Sequence, residues 1–354
     1  MRTYFVTSGL QGCFFLRCLL PIQALGFDGD QTSILLTDRP PHEKMQAAND
    51  ANIIVFHRPE EPAKLELAKI LKSKGKKIVF DNDDTLKHDG GFRFNAYMDM
   101  ERVRRGMEKL NTTIDSFIKI SDLVTCSTEF LAEEYRKINK NVVVLPNCVD
   151  PFYFDLPIRN EEDVVRIGIV GSLALTDDLD LIEPIVRHYE KDKRVRLVLF
   201  SLPPDKEDKY TRKLYQEEYK LWESVSIEWQ PLVPFENYYD TLNNLRLDMM
   251  IIPRKDNYFN RCKSNVKFLE ASMFEIPVIA SGFPDKKSPY EVEPKNAKHM
   301  VIVSDETQWI PEIEKMIADK KSRRAMGKKA KKYVEKEYNI EKHARKWLSA
   351  YESI

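Results

Sequence analysis

The chain has 354 residues, enough for about two domains that each bury a core of their own. Lys plus Arg and Asp plus Glu both number 56, so the formal net charge is zero and no global field draws in nucleic acid or a membrane surface, which leaves only local patches. The five cysteines (Cys13, Cys18, Cys126, Cys148, Cys262) are odd in number, scattered and without CxxC spacing, which argues against a structural zinc site and for a reduced, intracellular protein.

In chain order, "RTYFVTS" (2–8), "TSILLTD" (32–38), "ANIIVFH" (51–57), "KKIVFDN" (76–82), "DLVTCS" (122–127) and "NVVVLPN" (141–147) are apolar runs of the kind that form buried parallel strands. The pattern restarts with "VVRIGIVGS" (164–172), "RVRLVLFS" (194–201), "SVSIEWQ" (224–230), "RLDMMIIP" (246–253), "IPVIAS" (276–281) and "HMVIVSD" (299–305). Amphipathic helical stretches separate most of these runs, which predicts an α/β protein of two doubly wound, Rossmann-like domains. The stretch "PNCVDPFYFDLPIRNEED" (146–163) loses periodicity and carries three prolines, placing a linker and a boundary near residue 150. The run "CFFLRCLLPI" (13–22) contains Arg17 and is too short to span a bilayer, and the N-terminus lacks a signal-peptide pattern, so the expectation is a cytoplasmic protein without a transmembrane segment. The sequon at Asn111 is then a chance match.

Ligands of open parallel sheets sit beyond the carboxyl ends of strands at a switch in strand order, so candidate chemistry should follow the strands. After the first strand, Gly9 and Gly12 in "SGLQGCFFLR" permit close backbone approach before a helix; this is not GxGxxG, and a tight strand-to-helix turn is by itself the simpler account of the glycines. His57 and Arg58 follow the third strand, where a histidine serves either the core or catalysis. Asp81, Asp83 and Asp84 crowd one loop after the fourth strand and need a partner or a purpose, a solvated capping turn and a partial metal site being the alternatives. Gly171 and Ser172 end the second half's first strand. A helix starting near Ser264 puts Lys263, Lys267 and Glu270 on one polar stripe and Val266, Leu269, Met273 and Ile276 on an apolar one. Cations at a helix N-terminus oppose the macrodipole unless an anion joins them, which points to phosphate; Glu270 either pairs with Lys267 or accepts hydroxyls. The basic runs "KSKGKK" (72–77) and "RVRRG" (102–106) are read as solvated faces rather than phosphate contacts.

"KSNVKFLEASMFEIPVIAS" resembles the donor-binding helix and strand of GT-B glycosyltransferases of the retaining, sucrose-synthase-like group (glycosyltransferase family 4). "VVVLPNCVDPFYF" resembles that family's interdomain segment, "IGIVGS" its second-domain opening, "ANIIVFHRP" its strand ending in a sugar-contacting histidine, and "YNIEKHARKWLSAYESI" its terminal helix. "GCFFLRCLLPIQALG" is similar to the first loop and helix of bacterial and phage members. The resemblance implies a GT-B fold whose two domains face each other across a cleft: an acceptor-side domain of residues 1–150 joined by the returning helix 340–354, and a nucleotide-sugar-binding domain of residues 151–339.

It further implies transfer of a sugar, a hexose by analogy, from a UDP- or GDP-sugar to an acceptor hydroxyl with retention and no obligatory metal. The donor would be held by Gly9, Gly12, Gly171, Ser172, Val233, Arg254, Lys263, Ser264, Lys267 and Glu270, with His57, Asp83 and Asp84 at the sugar or acceptor. Two departures stand out: Cys262 occupies the first position of the family's Glu-x7-Glu pair, and "GSLALTDDLD" offers Ser172 and acids where the family has Arg and Lys. Lys263 and Lys267, with Arg254 or Arg261, would replace the missing cations. A glycan, a lipid-linked sugar and a modified DNA base are open as acceptors, and a phage-type enzyme acting on hydroxymethylated bases, an epimerase and a non-catalytic sugar-nucleotide binder are the competing readings.

Overall fold

The computed structural model describes residues 1–7, 11–27, 32–34, 40–87, 100–171, 178–201, 216–291 and 299–354. Gly9 and Ser172, expected after the first strand of each half, lie outside these residues.

Among the described residues twelve strands form two six-stranded sheets. The first holds β1 (Thr3–Thr7), β2 (Thr32–Ile34), β3 (Ile53–His57), β4 (Lys77–Asn82), β5 (Leu123–Cys126) and β6 (Val142–Val144) in the order β2-β1-β3-β4-β5-β6. The second holds β7 (Val165–Val170), β8 (Val195–Ser201), β9 (Glu228–Pro231), β10 (Met249–Ile252), β11 (Val278–Ser281) and β12 (Val301–Val303) in the order β12-β11-β10-β7-β8-β9. Every described strand pair is parallel. All twelve strands fall on the apolar runs, because a parallel strand covered on both faces needs no alternation: β3 and β10 are buried from end to end. This is the α/β, two-sheet GT-B architecture.

Chain order reverses between β1 and β3 in the first sheet and between β7 and β10 in the second. Each reversal leaves a crevice at the carboxyl edge, since the flanking connections depart to opposite faces. Gly12 stands near the first crevice, and Gly171 and Arg254 follow the strands of the second.

The chain passes between the sheets twice. Val149 lies beside Asn339, with Val149 N donating to Tyr338 O and Ile340 N donating to Val149 O, both at 2.9 Å. The helix Ile340–Glu352 then packs on the segment Leu20–Ala24, with Tyr351 edge-on to Phe5 of β1 and the Trp347 ring 5.5 Å from the Arg17 guanidinium. The basic runs are accounted for on the surface: Lys72 is 2.9 Å from Asp122 and Arg104 is 3.1 Å from Glu108.

Candidate functional site

A cleft of about 300 Å³ opens where the two carboxyl edges meet. Its walls include Gly12, Asp83 and Asp84 from the first sheet's loops, and Gly171, Arg254, Lys263, Ser264, Lys267 and Glu270 from the second's. Nine of the residues expected from the sequence are thus brought together from segments up to 258 positions apart, Gly12 to Glu270.

The second-sheet wall is built on the helix Val266–Met273. Its apolar side meets the sheet and the helix Lys320–Glu337, where Gly327 lies so close to the Glu275 carbonyl that a Cβ would collide with it. Packing on both sides buries the helix beyond its first turn, so the polar stripe is open to the cleft only at its start and Glu270 is only 5 % exposed. Its Oε2 accepts from Tyr238 OH and from Lys267 Nζ, each at 3.0 Å, and Lys267 Nζ also donates to Tyr238 OH at 2.6 Å. Burial, with the Glu270 carboxylate beside it, pushes the Tyr238 phenol well above its ordinary value and keeps it a donor. The Tyr238 ring is near parallel to those of Phe200 and Phe235, with centroids 5.3 and 6.4 Å away.

Lys263 projects from the turn before the helix, its Nζ 4.1 Å from the Phe259 ring centre and 3.8 Å from Asp84 Oδ2 across the cleft. Burial pulls its ammonium below the usual lysine value, against the pull of Asp84. Arg254 follows β10, and its guanidinium is 2.6 Å from the buried Asp178. Asp178 also accepts from Lys255 N at 2.8 Å and Asn260 Nδ2 at 2.9 Å. Asp178 thus fixes a cation that comes from the end of another strand, Arg254 after β10. Arg261 does not join the cleft, because Asp256 and Asp285 hold it elsewhere.

On the first-sheet wall the aspartates have partners. Arg58 bonds Asp83 at 2.9 Å and Asp84 at 2.6 Å. It does so from a backbone with φ of 49°, a left-handed conformation that is costly for a residue with a Cβ. Burial opposes ionisation of Asp83, yet the Arg58 charge holds its carboxyl below the usual range. Asp81 lies deeper. Its oxygens meet Arg17 at 2.7 Å, His57 Nδ1 at 3.0 Å and Thr125 Oγ1 at 2.6 Å. Burial alone would raise the Asp81 carboxyl, but Arg17 and His57 hold it far below its ordinary value.

His57, at 2 % exposure, packs against Phe14 and bonds Asp81, outside the cleft lining. Val233 packs against the core, and two residues on, Phe235 takes its place on the wall, its ring 3.1 Å from where a Cβ on Gly12 would stand. Gly9 and Ser172 lie outside the described residues. Cys262 is buried with the first sheet's core cluster, and burial pushes its thiol up to about 12, so it presents an inert apolar plug. Tyr238, Tyr290 and Asp178 were not singled out by sequence reasoning. A tyrosine at a helix start, another in a turn and one acid among several in sequence carry no local mark.

Among the described residues no group of three or more His, Cys, Asp or Glu side chains is gathered as a metal would need, and no helix is long and apolar enough to cross a membrane.

No protein-family model matches the chain, and neither does any curated protein sequence. Solved structures do match along its whole length. HepE from Anabaena, in complex with UDP and glucose, superposes with a TM-score of 0.69 at 11% identity, covering 100% of both chains. The sucrose-phosphate synthase of Thermosynechococcus elongatus gives 0.65 at 15% identity, covering 100% of this chain and 99% of that one. A glycosyltransferase from Rickettsia africae gives 0.62 at 13% identity over 99% and 98%. At these identities the likeness is one of fold: this chain is similar to GT-B glycosyltransferases in architecture.

Proposed function

We propose that this chain is a glycosyltransferase that moves a hexose from a nucleoside-diphosphate sugar to an acceptor hydroxyl with retention at the anomeric carbon. The observation that carries the reading is the convergence of Arg254, Lys263 and Lys267 on one helix N-terminus at the second sheet's switch point, opposite Asp83 and Asp84. Backbone N–H groups, the helix dipole and fixed cations together suit a diphosphate, and they stabilise the charge that grows on it as the glycosidic bond breaks. A metal is not required for that neutralisation. HepE, similar in fold, has been solved with UDP-glucose, which favours a uridine donor.

In this reading residues 151–339 form the donor domain, and residues 1–150 with helix 340–354 form the acceptor side. Gly9, Gly12, Gly171 and Ser172 let backbone approach the donor, Glu270 accepts ribose hydroxyls through the oxygen not engaged by Tyr238, and the segment at Val233 flanks the base. Asp83 and Asp84 face the acceptor. His57, outside the cleft lining in this structure, meets the sugar only once the two domains close on it.

A thermal-shift screen of UDP-, GDP-, ADP- and TDP-sugars tests the donor, because a ligand bound only by the native state raises the midpoint by mass action. One sugar nucleotide should stand out, and no response to any of them would overturn the reading. Incubation of the bound donor then separates the competitors: hydrolysis or transfer with the anomeric configuration kept is expected. An epimer formed without acceptor would make it an epimerase, and tight binding without turnover a binding protein.

A further inference from the structure

The zero net charge conceals a strong asymmetry. Of the 27 residues from Lys320 to Lys346, twelve are lysine or arginine and three are acidic, so the remainder of the chain carries the balancing negative charge. Helix Lys320–Glu337 buries Arg323, Gly327, Ala330 and Val334 along one stripe. At about 100° per residue, the exposed Lys321, Lys328, Lys329, Lys332 and Lys336 fall within an arc of about 100° centred diametrically opposite that stripe. Among the described residues only Lys336 of these five has an ion pair, with Glu337. Lys342 Nζ donates to Lys336 O at 2.8 Å, so the cationic face continues onto helix Ile340–Glu352, where Arg345 and Lys346 are exposed as well.

Beside this face runs the linker that leaves β6. It starts against the junction of the two helices, through Val149 and Tyr338, and returns to the first of them where Arg324 donates to Asn160 O at 3.3 Å. Between these points Tyr153 and Phe154 anchor it inward, Tyr153 OH to Gln23 at 2.7 Å and the Phe154 ring 4.4 Å from Tyr239. Phe152 and Leu156 instead point out, 86 % and 85 % exposed, from a backbone held in place. Fixed, fully solvated apolar side chains, on a linker bonded at both ends to helices that carry a solvated cationic face, are the two components of an interfacial surface.

We propose that this face docks peripherally on an anionic lipid bilayer, with the lysines of the two helices against the headgroups and Phe152 and Leu156 entering the interface. A polyphosphate backbone such as duplex DNA would use the same lysines. It offers no apolar phase for Phe152 and Leu156, and the lysine arc lies on a convex helix surface. The inference is independent of the reaction proposed above and stands if that reading fails.

Co-sedimentation with vesicles tests it on the full chain. Binding is expected to vesicles of phosphatidylcholine mixed with phosphatidylglycerol, not to phosphatidylcholine alone, and to weaken as salt rises. Each lysine near such a surface contributes about fivefold, so Lys321→Glu, Lys328→Glu, Lys329→Glu and Lys332→Glu combined should reduce binding by more than about a hundredfold. Phe152→Ser with Leu156→Ser should reduce it about tenfold while leaving the salt dependence unchanged. Melting temperatures of both variants are measured alongside, and neutral Lys→Gln replacements serve if the reversed charges impair folding. Equal binding to neutral vesicles, or binding unaltered by the Phe152 and Leu156 changes, would overturn the proposal. So would duplex DNA that strips the protein from vesicles with an affinity that those two changes leave intact.

Discussion

Asn147 Nδ2 donates to Ser264 Oγ at 3.0 Å, joining the segment after the first sheet to the turn that opens helix Val266–Met273. Asn147 is in turn gripped by Arg17, which also holds Asp81, so a line of bonds links the buried Asp81 at the end of β4 to the turn that carries Ser264. Because Ser264 accepts this bond, its own proton stays available for a phosphate oxygen. Asn147→Ala should weaken nucleoside diphosphate binding by about 1 kcal/mol while leaving nucleoside binding unchanged. Calorimetric titration of UDP and uridine on the one variant gives both numbers, and parallel losses would mean that the bond only supports the fold.

Lys263 supplies a dependence on pH. Burial lowers its pKa in the free protein, and an arriving diphosphate favours the charged form. Affinity for the diphosphate is therefore complete below the free-state value and falls as pH rises through it, before the ordinary lysine range near about 10.4 is reached. Lys263→Arg, charged throughout, should flatten the profile. A wild-type affinity that holds steady up to that range would exclude Lys263 from the diphosphate site.

The burial of Glu270 makes its two obvious substitutions behave differently. Glu270→Ala strands the Tyr238 hydroxyl and the Lys267 ammonium and should cost about 1–3 kcal/mol. Glu270→Gln keeps an acceptor for Tyr238 and should melt close to wild type, yet discriminate less between UDP and its 2′,3′-dideoxy analogue. Retained discrimination in a folded Glu270→Gln protein would take the ribose away from this side chain.

Much of this was legible beforehand, and what was not has a physical reason. Buried parallel strands announce themselves as short apolar runs, so β1 to β12 and both carboxyl edges could be placed. Lys263, Ser264, Lys267 and Glu270 were found because their helical spacing is local. The pairing of Arg254 with Asp178 spans 76 positions, and that of Arg17 with Asp81 spans 64. Contacts of that range leave no periodic trace in either segment. That Phe235 rather than Val233 lines the cleft was not legible, since a turn without periodicity does not reveal which side chain faces inward.

Asp81 should govern acid stability. Its folded pKa is depressed, so the stabilisation it supplies is complete above the unfolded value of about 3.9 and is lost as pH falls toward the folded one. Asp81→Asn leaves Arg17 buried without its counter-charge and should destabilise by about 3–5 kcal/mol at neutral pH, with a shallower acid transition than wild type. His57→Ala, which removes one hydrogen bond to the same carboxylate, should cost about 1 kcal/mol. Urea melts of the three proteins at neutral and acid pH decide this, and an unaltered acid limb in Asp81→Asn would refute it.

Gly12 faces Phe235 across the cleft at a separation that leaves no room for a branched side chain. Gly12→Val should hold the two walls apart and weaken sugar-nucleotide binding at least tenfold, with a melting temperature close to that of the parent, because the strands themselves are untouched. Scattering profiles with and without donor would register the wedge. Normal donor affinity would show that closure at this point is not needed.

The paired passages at Val149 and Asn339 carry a mechanical consequence. Two crossings bonded side by side resist shear and splay, leaving rotation about their common line as the soft motion, as with a door on adjacent pins. Displacement then grows with distance from that line. Asn147 and Ser264, two residues before one crossing and at the turn it grips, would stay in register through a swing that carries Gly12 and Phe235 well apart, so the phosphate end of a donor could remain seated while the opposite wall admits or releases what reacts with it.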